Sequence, residues 1–246
     1  MVAIDAPLRW LAVDDAWAVL DKPPGLTVVP ARGEDPARCV QHRAERELGA
    51  PVLVVHRLDR DTSGVLLLAR DAATHRQLCL AFEQHRVDKL YIAFTGGVPT
   101  PAAGVIDLPL HAARRGKSRP ARPHEPGARA ASTRYRVEAT GLLGGLPVAR
   151  LELEPETGRQ HQLRVHLRSI GTPILGDRLY GRGVPTLPAA VAPPRLALHA
   201  ARLTVPLGPQ GRPLRFDAPL PEDLEQLATA LTAGGPSSGR APGISS

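Results

Sequence analysis

Aromatic side chains are scarce: two tryptophans, three tyrosines and three phenylalanines make up 3% of this 246-residue chain. So few rings argue against a base-stacking platform of the RRM kind. Cysteine is nearly absent. Cys39 and Cys79 lie far apart and match no metal or redox spacing, so both are expected to be reduced thiols of a cytoplasmic protein. No apolar run approaches the ~18 residues of a membrane span. The N-terminus, MVAIDAPLRW, carries an early acid and no basic stretch followed by an apolar one, unlike a secretory signal. Lysine is rare too: only Lys22, Lys89 and Lys117 appear among 31 basic residues. The formal charge of +7 therefore rests on arginine, and a basic surface of this kind suits a polyanionic partner such as a nucleic acid.

What the chain does have is a dense charged string, His56–Arg57–Leu58–Asp59–Arg60–Asp61–Thr62–Ser63–Gly64, between the apolar runs 52–55 and 65–69. Each run reads as a buried strand, so the string lies at the edge of a core where a carboxylate can meet a ligand. An ion-paired turn is the plain alternative. Upstream, a hairpin is expected at 9–20, then a sharp loop through Lys22–Pro23–Pro24–Gly25, then a helix over 37–48 ending at Gly49. Downstream come a helix at 72–85 and a strand at 89–95.

Residues 109–131 change character, with Arg114, Arg115, Lys117, Arg119, Arg122 and Arg129 among prolines and glycines. They read as a long basic loop, either an RNA-contacting arm or a solvated insertion. Strands are expected at 131–138, 147–154 and 195–205, and a terminal helix at 221–233. Over 158–170 the spacing predicts a helix with Leu163, Leu167 and Ile170 on its core face and Arg164 off that face. One domain over 1–233 is expected, followed by a disordered Gly/Ser/Pro-rich tail at 234–246.

HRLDRDTSG resembles the catalytic signature of the RluA family of pseudouridine synthases, which isomerise uridine in RNA. Five further segments resemble that family in the same order: LDKPPGL (20–26), KLY (89–91), TGRQHQLRVHL (157–167), GTPILGDRLYG (171–181, with Thr172 where His is usual) and LHA (198–200). With few residues before the first expected strand, the S4 domain that many members carry is expected to be absent. The resemblance implies an α+β fold, a mixed and largely antiparallel sheet flanked by helices and loops, with the active site in a central cleft. It implies no cofactor and no metal.

The resemblance also implies roles. Asp59 would act at the ribose C1′, Arg164 would hold that carboxylate ionised, and Tyr91 would stack on the uracil and serve as a possible base for the C5 proton. Arg57 would enter the stack left by a flipped uridine. His56, Arg60, Arg159, Arg114, Arg115, Lys117 and Arg119 are candidate RNA contacts. Arg164→Met is expected to impair catalysis far more than folding. The partner implied is a tRNA or rRNA stem-loop, met by a monomer.

Two other readings compete. A metal hydrolase could draw on His56, Asp59, Asp61, His161 and His166, although His161 and His166 are five apart rather than the four of helical zinc ligands. A non-catalytic RNA-binding protein or RNA chaperone of the same fold would not need Asp59.

Overall fold

In the computed structural model, the described residues are 6–31, 33, 35–182, 187–208 and 212–233. The expected tail at 234–246 lies outside them. The strands are β1 (Arg9–Val13), β2 (Trp17–Lys22), β3 (Leu53–Val54), β4 (Ser63–Ala69), β5 (Asp88–Gly96), β6 (Ala103–Asp107), β7 (Leu110–Ala113), β8 (Lys117–Pro120), β9 (Ser132–Leu143), β10 (Leu146–Pro155), β11 (Leu198–Val205) and β12 (Leu214–Asp217). The α-helices are α1 (Val40–Leu48), α2 (Ala72–Glu83), α3 (Gln162–Ser169) and α4 (Glu222–Ala233). Among the described residues no helix is long and apolar enough to cross a membrane.

One large sheet runs β1-β2-β4-β11-β5-β10-β9-β6, with β12 added to β11 and β3 to β4. Every pairing in it is antiparallel except β4 with β11. That parallel junction sits at the centre, so all seven residues of β4, SGVLLLA, are buried, as strands covered on both faces require. Gly64 makes the junction possible. Its φ is +112°, and a Cβ there would stand 2.2 Å from the Ala200 carbonyl oxygen. The long β9–β10 hairpin turns on Gly144 and Gly145, both at positive φ, the backbone of a tight two-residue hairpin.

Two family-like segments meet at this junction. The buried Ser63 hydroxyl lies 2.9 Å from His199 Nδ1, and His199 Nε2 lies 3.2 Å from the Ala218 carbonyl oxygen. The carbonyl can only accept, so Nε2 carries the proton and Nδ1 accepts from Ser63. Burial pushes this imidazole down to about 4. Ser63→Ala is expected to leave Nδ1 unpaired and to lower stability by about 1–3 kcal/mol. Urea unfolding midpoints measure this, and an unchanged midpoint would refute it.

Several expectations are corrected. Residues 109–131 do not form a loop throughout: β7 and β8 make a two-stranded hairpin around a short 3-10 turn, Arg114–Gly116. Leu110 at its base is buried with Ala131 and Val165, an anchor hidden by the surrounding arginines. The helix expected from 37 starts at Val40, because Pro36–Arg38 form a separate 3-10 turn capped by Asp35. The helix expected over 158–170 is confined to Gln162–Ser169, since His161 takes a left-handed φ of 55°. Leu163 and Leu167 are buried, whereas Ile170 is 38% exposed. Residues 52–55 contribute only the two-residue β3, with Leu53 on the surface. Edge strands β6 and β12 were not expected.

Candidate active site

The connection from β3 to β4 carries Asp59, and a lysine holds it from below. Lys22, at the end of β2, is fully buried and donates to the carbonyls of Pro23 (2.8 Å), Leu26 (2.9 Å) and Arg60 (2.9 Å). Three acceptors match the three protons of an ammonium. Burial pushes this amine down to about 7, opposed by Asp61 and Asp59. Gly25 N–H also donates to the Arg60 carbonyl. The LDKPPGL segment is thus the underside of the HRLDRDTSG loop.

The helix opposite is pinned by its own motif. Gln162 Nε2 donates to the Ser132 carbonyl and to Thr133 Oγ1, while its Oε1 accepts from Thr157 Oγ1 and Arg159 N–H. Both nitrogens of buried His166 are engaged, with Thr133 Oγ1 at 2.9 Å and the Leu108 carbonyl at 3.0 Å. These bonds fix the rotation of α3 against β9 and aim Arg164 at the β3–β4 connection.

Arg164 then bridges two carboxylates. Nη1 donates to Asp59 Oδ2 at 3.0 Å, and Nε and Nη2 donate to Asp177 at 2.8 and 2.9 Å. Asp177 is the more buried acid, its side chain 1% exposed against 24% for Asp59. It also accepts the N–H groups of Leu179 and Tyr180. Burial would raise the Asp177 carboxyl, but its bonds to Arg164 hold it below the ordinary value. Burial likewise opposes the Arg164 charge, and Asp177 together with Asp59 outweighs it, so its pKa stands above the usual arginine value. An arginine clamped to one buried carboxylate and offering a further N–H to a second is a preorganised way to hold the second carboxylate in place.

Asp59, Tyr91, Arg57, Arg60, Arg159 and His161 line a cleft of about 1020 Å³. Beside it a smaller recess of about 100 Å³ adds Arg164. Tyr91 comes from β5. Its burial, reinforced by the charge of Asp59, raises its pKa, so the phenol stays protonated and suits stacking or donation better than proton abstraction at neutral pH. Lys89 also faces the cleft, donating to the Thr157 carbonyl, with burial pushing it down to about 8.

The candidate RNA contacts separate into groups. Arg57 and Arg60 are exposed at the cleft. Arg159 lies at its rim, with Nε on the Ala130 carbonyl at 3.1 Å. Arg114 and Lys117 are exposed around the hairpin tip, and the side chain of Arg115 lies outside the described residues. Two candidates take other work. Arg119 is locked to Glu125, whose carboxyl it pulls down to about 2, so it folds the hairpin rather than waiting for a phosphate. His56 accepts the Leu67 N–H at 3.0 Å and stacks on Phe82. Burial pushes it down to about 3, so it is uncharged and braces β4.

Sequence reasoning did not find Asp177 or Tyr180 as site residues, although GDRLYG contains both, and it weighed His161 only as a metal ligand. Tyr180 accepts the Ser118 N–H of β8 and lies 2.8 Å from His161 Nδ1, joining the hairpin to the cleft. Among the described residues no three His, Cys, Asp or Glu side chains converge as a metal site would require.

Comparison with known proteins places this architecture. Residues 16–169 match the family described as RNA pseudouridylate synthase. The dual-specificity RNA pseudouridine synthase RluA of Escherichia coli O6:H1 is 39% identical over 213 residues, covering 85% of this chain and 93% of that protein. Ribosomal large subunit pseudouridine synthase D of Nitrosomonas europaea is 35% identical over 234 residues, covering 92% of this chain and 65% of the relative. The solved structure of human RNA pseudouridylate synthase domain containing 4 aligns with a TM-score of 0.73 at 30% identity, covering 91% of this chain and 93% of that one. Its fold and most of its length therefore shared with these proteins, the chain belongs to the RNA pseudouridylate synthase family.

Proposed function

We propose that this chain converts one uridine of a structured RNA, in a tRNA or rRNA stem-loop, to pseudouridine through Asp59. The observation that carries the reading is the Asp59–Arg164–Asp177 chain of hydrogen bonds at the wall of an open basic cleft. Pseudouridylation breaks the N1–C1′ bond, turns the uracil and joins C5 to C1′. It is an internal isomerisation without redox change, so the reaction calls for no cofactor. It does call for an ionised carboxylate beside C1′, where positive character develops or a covalent bond forms.

The target base must leave its stack, which costs a few kcal/mol. Arg57, exposed two residues before Asp59, fills the vacated position with its planar guanidinium. Tyr91 stacks on the uracil in the cleft. Arg60, Arg159, Arg114 and Lys117 contact phosphates and contribute affinity rather than chemistry. The region 1–233 acts as one catalytic domain, as a cytoplasmic monomer.

The test is to incubate tRNA and 23S rRNA with the protein and to map pseudouridine by carbodiimide adduct and primer extension. A new protein-dependent stop at a single stem-loop uridine is expected. RNA retained by the protein with no stop in either pool would favour the non-catalytic RNA-binding reading.

A further inference from the structure

We propose that His161 is a catalytic residue of the uridine reaction, a neutral hydrogen-bond donor to O2 of the target uracil as the glycosidic bond breaks. This rests on the pseudouridylation reading above. His161 immediately precedes α3 with φ 55° and ψ 22°, a left-handed conformation that costs a non-glycine residue free energy unless its surroundings impose it. The side chain is held at Nδ1, 2.8 Å from the Tyr180 hydroxyl, with the two rings edge to face at 5.6 Å between centroids. The opposite nitrogen, Nε2, lies 3.8 Å from Asp59 Oδ2 and lines both the cleft and its recess.

The proton on this imidazole can be placed. Burial lowers its pKa, against the pull of Asp59, so the ring is neutral. Tyr180 Oη already accepts from Ser118 N–H at 2.8 Å. Among the described residues its own proton has one acceptor in reach, His161 Nδ1. The proton of the ring therefore sits on Nε2. The other tautomer would aim a lone pair at the Asp59 carboxylate. His161 thus presents a fixed N–H into the cleft beside the group that must approach C1′.

Next to C1′ on the substrate lie N1 and, one bond further, the C2–O2 carbonyl. When the N1–C1′ bond breaks, its electron pair leaves with N1 and is shared with O2, while Asp59 meets the positive character at C1′. No proton moves at His161. A donor held in place before the charge develops stabilises it without reorganisation.

The experiment uses RNA carrying the mapped target as uridine, 2-thiouridine or 2′-deoxyuridine, with single-turnover rates and RNA affinities measured for wild type, His161→Leu and His161→Gln. His161→Leu is expected to lose on the order of a hundredfold in rate on uridine, with affinity unchanged to within about threefold. His161→Gln, which returns an N–H near Nε2, is expected to recover much of that loss. Sulfur at position 2 accepts hydrogen bonds poorly, so the Leu and 2-thio losses should be strongly less than multiplicative. Multiplicative losses, or a full rate in His161→Leu, would overturn the proposal. So would loss of the effect on 2′-deoxyuridine alone, which would assign the donor to the ribose hydroxyl. A wild-type protein silent on every RNA would instead fail the pseudouridylation reading itself.

Discussion

Asp59→Asn protein is expected to fold, to bind RNA about as well as wild type, and to form no detectable pseudouridine. The substitution keeps the size of the side chain and a carbonyl oxygen for Arg164 Nη1, now 3.0 Å away. It removes the negative charge that must meet C1′. Asp59 is 24% exposed and the buried acid of the cluster is Asp177, so the stability change should stay within about 1 kcal/mol. The rate loss is expected to reach on the order of a thousandfold or more, as when a nucleophile or charge-stabilising group is deleted. Primer extension on carbodiimide-treated RNA reads the product, and filter binding reads affinity. Binding falls steeply with salt whether or not the carboxylate is present, so only the product separates a synthase from a passive binder. A stop that persists in Asp59→Asn would remove Asp59 from the chemistry.

Much of this was legible in the chain because its motifs are local. The β4 run and the position of Asp59 between strands follow from apolar runs bounded by Pro and Gly, and the β1–β2 hairpin from two short runs around Asp14–Asp15. The off-face position of Arg164 follows from the Leu163–Leu167 spacing. Pairings between distant segments were not legible. Nothing in LHA announces that His199 accepts from Ser63, and nothing in GDRLYG says that Asp177 takes the larger share of Arg164. The hairpin at 110–120 was read as loop because a four-residue strand among arginines has almost no hydrophobic period. Its folding depends on Glu125 closing on Arg119 and on Leu110 finding Val165. His161 escaped for a related reason: an apolar-periodicity argument continues the helix through it, whereas its left-handed backbone places it before the first turn and its side chain meets Tyr180.

Arg164→Met is expected to fail in both catalysis and folding, where the reading from sequence has catalysis impaired far more than folding. The difference lies in Asp177, whose side chain is 1% exposed and receives two of the three arginine hydrogen bonds. Removing the cation strands that carboxylate in a dry site, which costs about 3–5 kcal/mol. The pH dependence follows from the same geometry. In the wild type Asp177 is depressed below its unfolded value, so its contribution is present above the unfolded pKa and is lost as pH falls through the folded one. In Arg164→Met only burial and two backbone N–H bonds remain. With the arginine gone, burial raises the carboxyl above its unfolded value, and stability is then lost as pH rises through it. Thermal unfolding at about pH 5 and about pH 8 should find the variant's deficit against wild type smaller at the lower value. An equal deficit at both would show that the stranded carboxylate finds water instead. The double variant Arg164→Met/Asp177→Asn separates the two roles of the arginine. Its amide oxygen can still accept from Leu179 and Tyr180 and carries no buried charge, so stability should return without activity. Recovery of pseudouridine formation in that protein would mean that Arg164 serves only to neutralise Asp177. Continued inactivity in a folded protein would leave its bond to Asp59 as the catalytic contribution.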